Sequence, residues 1–225
     1  MSKSLYIAEK PSVAQQFAEA LKIKGRRQDG YIESDTAVVT WCVGHLVTMS
    51  YPEAYDMKYK RWSCQTLPFL PKEFKYEVIG NVAKQLEIVK GLLNRPDVGT
   101  IYVCTDSGRE GEYIYRLVAQ LADVKDKKQK RVWIDSQTEE EILRGIREAK
   151  DESEYDNLSA SAYLRAKEDY LMGINFSRAL TLKYGPALSN YLGTRFTVLS
   201  VGRVLSFVLG MLVRRERELS NFIKT

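Results

Sequence analysis

The run Thr100–Cys104 (Thr-Ile-Tyr-Val-Cys) is a strand pattern without polar alternation. A strand with one wet face alternates, whereas one covered on both faces does not, so this segment belongs inside a parallel sheet with helices on either side. The sequence around it agrees. Thr105-Asp106-Ser107-Gly108 follows, and from about Arg109 a helical stripe runs through Ile114, Leu117, Val118 and Leu121. Leu5–Ala8 is an earlier strand, leading through Glu9-Lys10-Pro11-Ser12 into a helix with Val13, Phe17 and Leu21 on one face. Pro11 suits a first helical turn, where a missing N–H costs little. Thr36–Val43 is β-branched and ends at Gly44-His45, residues 50–76 read as a long aromatic loop, and Asn81–Leu93 is a helix through Val82, Leu86 and Val89. A charged loop, Lys125–Lys130, precedes a short strand at Arg131–Ile134. Thr138 with Glu141 forms a capping box for a helix carrying Ile142 and Ile146. Strands alternating with helices specify an α/β fold, a mostly parallel, Rossmann-like sheet with flanking helices.

After about residue 150 the strand patterns stop. Asp151–Asn157 reads as an acidic linker, Leu158–Tyr184 as helix interrupted by Gly185-Pro186, and Val201–Leu219 as a further helix. The run Val204–Val213, bracketed by Arg203 and Arg214, reads as buried. The expected division is therefore an α/β domain at 1–150 and a helical partial domain at 151–225. With 44% hydrophobic residues the chain has material for a core, which excludes general disorder. No apolar run approaches the roughly 20 residues of a membrane span, and the first strand is too short for a signal-peptide core. A cytoplasmic protein without membrane partners is expected. Cys42, Cys64 and Cys104 form no CxxC pair, so neither a disulfide framework nor a zinc knuckle is expected. The single histidine, His45, excludes a His-only metal site. Charge is uneven: residues 1–156 carry 24 basic and 25 acidic side chains, and residues 157–225 carry 10 and 4. A basic terminal third favours an anionic partner, usually nucleic acid.

Acidic groups mark two strand ends. Glu9 follows the first strand, Asp106 the buried one, and Glu110 lies in the next helical turn. Ligands of open α/β sheets gather at the carboxyl ends of strands, so these three converge there if the strands are parallel neighbours. Asp106 and Glu110 are hard oxygen donors suited to Mg²⁺, which binds few carboxylates and keeps several waters. Lys10, with the helix N-terminus after it, suits a phosphate oxygen. The bland alternative is that Asp106 caps its helix and Glu110 complements the helix dipole.

At these residues the chain resembles type IA DNA topoisomerases, most closely the bacterial topoisomerase III branch. Leu5-Tyr-Ile-Ala-Glu-Lys-Pro-Ser12 is similar to that branch's opening strand and turn, and Thr105-Asp-Ser-Gly-Arg-Glu-Gly-Glu112 to the Toprim motif Asp-x-Asp-Arg-Glu-Gly-Glu. Gly44-His45-Leu46, Tyr59-Lys-Arg-Trp62, the series Arg165-Ala166, Asp169, Gly173, Asn175, Ser177-Arg-Ala179, and Leu199-Ser-Val-Gly-Arg-Val204 follow in family order. The resemblance implies a Toprim domain followed by the first part of helical domain IV, which lines a single-stranded DNA groove. It implies Glu9 as general acid/base, Lys10 as a stabiliser of phosphate charge, and Asp106 and Glu110 as Mg²⁺ ligands. Arg109 is implied to touch a phosphate or to pair with Glu112. Arg178, Arg195, Ser200 and Arg203 are candidates for DNA contact. The implied parent is a monomeric, ATP-independent enzyme that cuts one strand through a 5′-phosphotyrosine.

Three departures qualify it. Gly108 stands where the family has its second metal aspartate, which implies weaker Mg²⁺ binding. Leu205-Ser206-Phe207 replaces a usual Gln-Thr/Ser-Pro. None of the 14 tyrosines sits in a Tyr-x-Arg-Thr context, so the expectation is an N-terminal fragment without the nucleophile, inactive alone in strand cleavage. The alternatives are a non-catalytic single-stranded DNA-binding Toprim module, or a Toprim nuclease or primase-like enzyme. Apolar helix surface is expected to be exposed where later segments would cover it.

Overall fold

Parallel pairing of β1 (Lys3–Ala8) with two neighbours organises the sheet. In the computed structural model, which describes residues 2–223, the other strands are β2 (Arg26–Gln28), β3 (Tyr31–Glu33), β4 (Ala37–Trp41), β5 (Val47–Met49), β6 (Tyr76–Val78), β7 (Val98–Cys104), β8 (Lys128–Arg131) and β9 (Lys150–Asp151). The helices are α1 (Pro11–Ala20), α2 (Ala83–Leu93), α3 (Arg109–Ala122), α4 (Glu139–Arg147), α5 (Asp156–Leu192) and α6 (Arg203–Ser220). Met1 and residues 224–225, the two ends of the sequence reading, lie outside the described residues. Seven strands form one sheet in the order β2-β3-β4-β1-β7-β8-β9. β4, β1, β7 and β8 are parallel, while β2, β3 and β9 pair antiparallel at the margins. The mostly parallel α/β sheet is thus present, and the long apolar strand β7 is central in it.

Contacts group the chain into two compact units, residues 1–48 with 76–164, and residues 49–75 with 165–225. In the first, α1 packs on α4 and β4, and α2 on α3. Alternation along β1 sends Tyr6 and Ala8 to the face holding Val13, Phe17 and Ile142. Leu5 and Ile7 turn the other way and are fully buried. In the second unit, three α5 side chains grip the loop 49–75. Asn175 accepts the Phe69 N–H at 2.6 Å and donates to its carbonyl at 2.9 Å. The Tyr170 hydroxyl donates to the Ser50 carbonyl, and Arg178 to that of Tyr59. Phe69 is buried with the rings of Tyr55, Tyr59 and Tyr170 around it, which explains the aromatic content of this loop.

Four local expectations are corrected. The strand placed at 131–134 is Lys128–Arg131, because pairing with β7 overrides the charged composition that reads as loop. Residues 151–157 are not a linker: the Asp151 carboxylate accepts the Ser153 N–H, a 3₁₀ turn follows at Glu152–Tyr155, and Glu152 is buried. Gly185-Pro186 does not interrupt α5, which runs to Leu192 and is followed by Gly193 at φ +66°. A Cβ on Gly185 would lie 3.1 Å from the Thr197 carbonyl oxygen, so this glycine serves close packing rather than termination. The Val204–Val213 helix is exposed, with Phe207 at 69%, as the expectation of uncovered helix surface requires. Among the described residues no helix is long and apolar enough to cross a membrane.

Candidate functional site

The strand register builds the site. Ala8, the last residue of β1, lies opposite Trp41 on one side and Cys104 on the other. Whatever follows these three strands must emerge together. Glu9 and Lys10 follow β1, Asp106 follows β7, and the chain leaving β4 bonds across to β1 through Cys42 N–H to Ala8 O and Gly44 N–H to Glu9 O. Gly44, at φ +75°, makes the bend that delivers His45.

Glu9 is only 7% exposed. Its Oε2 accepts the Asp106 N–H at 3.4 Å, and its Oε1 lies 3.9 Å from the Lys10 Nζ. Burial, and next the negative charge of Asp106, raise its carboxyl above the ordinary range, against the pull of Lys10 and His45. Glu9 thus holds a proton more readily than a surface carboxylate. His45 Nε2 lies 2.5 Å from Glu110 Oε1. Among the described residues, no side chain caps α3, so the alternative of Asp106 as a helix cap is not met.

The loop carrying Asp106 is fixed from beneath. Arg131, fully buried on β8, donates to the carbonyls of Val103, Thr105, Asp106 and Val132. Its Nε pairs with the buried Glu112 at 3.1 Å. Arg116 holds the other oxygen of Glu112 at 2.8 Å and bonds the Glu152 carbonyl. A Cβ on Gly111 would stand 2.1 Å from the Asp106 carbonyl oxygen, so only glycine permits this approach. The Ser107 hydroxyl accepts the Ile134 N–H. The expected alternative pairing of Arg109 with Glu112 is corrected: Glu112 is taken by Arg131 and Arg116, and Arg109 is exposed with no carboxylate within 4 Å among the described residues.

Glu152 is the weak point of this network. It is buried beside Glu112, and burial followed by the Glu112 charge pushes its carboxyl up to about 8. A carboxyl that binds its proton more tightly folded than unfolded costs stability progressively as pH rises from about 4.5 to about 8. The Arg116 Nε, 3.2 Å from the Glu152 carboxylate, offsets part of that cost, so Glu152→Gln is expected to leave the melting temperature at pH 4 nearly unchanged and to raise stability at pH 9 by only about 1–2 kcal/mol. Melting curves at the two pH values check this, and equal shifts at both would contradict it.

The second unit holds the remaining candidates. Arg178 is 5% exposed, donates to Tyr59 O at 3.0 Å and lies over the Trp62 ring at 5.2 Å. It organises the loop, with its guanidinium turned inward onto Tyr59 and Trp62. Arg195 is exposed and borders, with Lys60, Trp62 and Phe196, a hollow of about 600 Å³. Ser200 is exposed on a second hollow of about 970 Å³ flanked by α5 and α6. Arg203 is exposed but paired with Asp169 at 2.9 and 3.2 Å.

His45 and Arg131 were not singled out as site residues from sequence. His45, the only histidine, directly follows a positive-φ glycine at a strand end, a readable signal. Arg131 carries none, since a basic residue in a charged stretch reads as surface.

Comparison with known proteins accords with this geometry. The family model for the Toprim domain matches residues 4–136, and one described as DNA topoisomerase matches residues 153–225. DNA topoisomerase 3 of Staphylococcus haemolyticus is 43% identical over 98% of the chain, and DNA topoisomerase 3 of Bacillus cereus 44% over 99%. The chain spans 29% of the length of each. The solved structure of full-length topoisomerase I from Thermotoga maritima superposes on 97% of the chain with a TM-score of 0.57 at 21% identity, over 31% of that protein, a likeness of fold.

Proposed function

This chain belongs to the Toprim domain family, and from that premise we propose that it supplies the acid–base and divalent-cation part of a type IA DNA topoisomerase of the topoisomerase 3 kind. The observation that carries the reading is the buried Glu9, bonded to the Asp106 backbone at the carboxyl ends of two parallel strands, with its carboxyl raised above the ordinary range by burial and then by Asp106. The proposed division is a Toprim domain at 1–150 and the start of helical domain IV at 151–225. The protein is proposed to work in the cytoplasm as a monomer on single-stranded DNA.

In this reading a tyrosine outside this chain, its phenol proton passed to solvent, attacks the scissile phosphodiester and forms the phosphotyrosine bond as the phosphorus–3′ oxygen bond breaks. The protonated Glu9 carboxyl gives its proton to the departing 3′ oxygen, and its carboxylate takes one back from the 3′ hydroxyl on rejoining. Lys10, with its ammonium half-exposed beside Glu9, offsets phosphate charge. Asp106 and Glu110 offer the hard oxygens that Mg²⁺ prefers, and the Asp106 charge that adds to burial in raising Glu9 fits a cation there. Bound Mg²⁺ would position and polarise a phosphate oxygen. Among the described residues no cluster of three or more metal-ligating side chains occurs. Arg109, Arg195, Ser200 and Arg203 are the proposed contacts to the DNA backbone; Arg203 must exchange its Asp169 partner to serve.

Adding the chain to a polypeptide carrying the remaining part of Bacillus cereus topoisomerase 3 tests the reading. Mg²⁺-dependent relaxation of a negatively supercoiled plasmid is expected only when both are present. No relaxation from a well-folded complex would end the proposal.

Gly108 offers a second test. A Cβ there meets nothing within 4 Å, and its φ of 171° is ordinary extended backbone. Gly108→Asp is therefore expected to fold normally and to tighten Mn²⁺ or Mg²⁺ binding about tenfold by adding a third carboxylate. Titration calorimetry decides; unchanged affinity would mean that position 108 does not face the cation.

A further inference from the structure

The margin of the sheet farthest from β8 carries a feature that the proposed reaction does not use. Lys22, Lys24, Arg26 and Arg27 fall within six residues that contain no acidic side chain. All four are exposed, and none has a carboxylate within 4 Å among the described residues. Nearby cations are paired, as Lys84 is with Asp29 at 2.5 Å. Lys22, Lys24 and Arg27 line one open hollow of about 540 Å³ with Gln15, Glu19 and Ile32. Glu19 is the carboxylate on that lining, and it accepts a bond from Gln15 at 2.9 Å. The turn is held in place: a Cβ on Gly25 would stand 2.5 Å from the Glu33 carbonyl oxygen, so the chain passes in contact with β3.

Topology separates this patch from Glu9. β2 is antiparallel to β3, and β3 to β4, so β2 runs in the same direction as β4 and β1. Residues that precede β2 lie at the opposite end of the sheet from Glu9, which follows β1. Three strand spacings, roughly 14 Å, also separate them sideways. Cations clustered without counter-charge repel one another, and the folded state gains from an anion that neutralises them.

The chemistry of the lining selects the anion. It offers positive charge and hydrogen-bond donors, but no aromatic ring among its residues on which an unpaired base could stack. Of its apolar residues Ala18 and Ile32 are buried and Ile23 is half-buried against the core, so the patch has little apolar surface with which to anchor in a membrane or a protein interface. Phosphate neutralisation without base contact is how duplex DNA is held independently of sequence. We propose that this basic sheet margin, Lys22 to Arg27, binds the phosphate backbone of double-stranded DNA, apart from the site at Glu9. The competing structural role is that charge on an edge strand blocks pairing with another chain. Negative side chains serve that purpose as well as positive ones, which makes the two roles separable.

The test uses the whole chain and two fluorescent probes, a 20-base-pair duplex and a single-stranded oligonucleotide, in anisotropy titrations between 50 and 200 mM salt. Replacing all four cations by glutamine is expected to weaken duplex binding at least tenfold. It should also reduce the slope of log affinity against log salt by about 3.6, since each of the four lost phosphate contacts removes about 0.9. Lys24→Glu/Arg27→Glu should act in the same direction without loss of solubility. Lys125→Gln, which removes a cation paired with Asp123 at 2.6 Å, should change neither quantity. Circular dichroism melts verify folding, and the two-residue variant carries the measurement if the four-residue variant melts early. The proposal is overturned if the duplex slope is unchanged, if single-stranded binding falls as much as duplex binding, or if the unaltered chain binds no duplex. A failure here alongside Mg²⁺-dependent relaxation by the reassembled enzyme would refute the patch and leave the functional reading standing.

Discussion

Replacing Arg131 by methionine is expected to lower the unfolding free energy by about 3–5 kcal/mol, the cost of stranding one partner of a buried ion pair. Methionine matches much of the volume, so the loss is chiefly electrostatic. Glu112 keeps Arg116 but loses the 3.1 Å bond to Arg131, while the carbonyls of Thr105 and Asp106 lose 2.7 Å bonds. In a chain of this size each kcal/mol moves the melting temperature by about 2–4 °C, so a drop of roughly 10 °C is expected. The double variant Arg131→Met/Glu112→Leu should recover part of the loss, because it removes the stranded charge as well. Urea unfolding of the two variants gives the comparison. A loss below 1 kcal/mol for Arg131→Met, or a double variant no better than the single, would show that the pair does not hold the Asp106 loop. Because the guanidinium bonds the Asp106 carbonyl directly, divalent-cation affinity should fall in parallel with stability.

The same arginine marks the limit of what sequence shows. Glu9, Asp106 and Glu110 were legible because each follows an apolar strand or opens the helix after one, and parallel strands deliver such residues to one end of a sheet. Register turned that expectation into contact between Glu9 and Asp106, through Ala8 opposite Cys104, while Glu110 pairs with His45. Arg131 was not legible because its surroundings, Lys125–Lys130, have the composition of a solvated loop, and only pairing with β7 drives it inward. Glu152 was hidden in the same way, in an acidic stretch that reads as linker. Pro186 misled for a different reason. A proline costs one helical hydrogen bond, but packing at Gly185 against the Thr197 carbonyl keeps α5 continuous. Local composition thus located strand ends and helix caps, and it failed where long-range burial of charge or close backbone packing decided the outcome.

Glu9→Gln is expected to reduce relaxation by the reassembled enzyme about 10²–10⁴-fold, the usual contribution of a positioned general acid and base. The amide keeps an oxygen to accept the Asp106 N–H, so the bond between the two strand ends survives. What disappears is the transferable proton. Stability should move the other way. The Glu9 carboxyl is raised chiefly by burial and then by Asp106, so its folded form binds the proton more tightly than its unfolded form, and its ionisation costs stability as pH rises past the ordinary carboxylate range. Glutamine removes that cost, and the variant should melt no lower than the unaltered chain at pH 8, while at pH 4 the two should converge. A residue kept for packing would lose activity and stability together; one kept for proton transfer gives up stability for activity. Loss of relaxation with a lowered melting temperature at pH 8 would assign Glu9 to the fold, and unchanged relaxation would remove it from the chemistry.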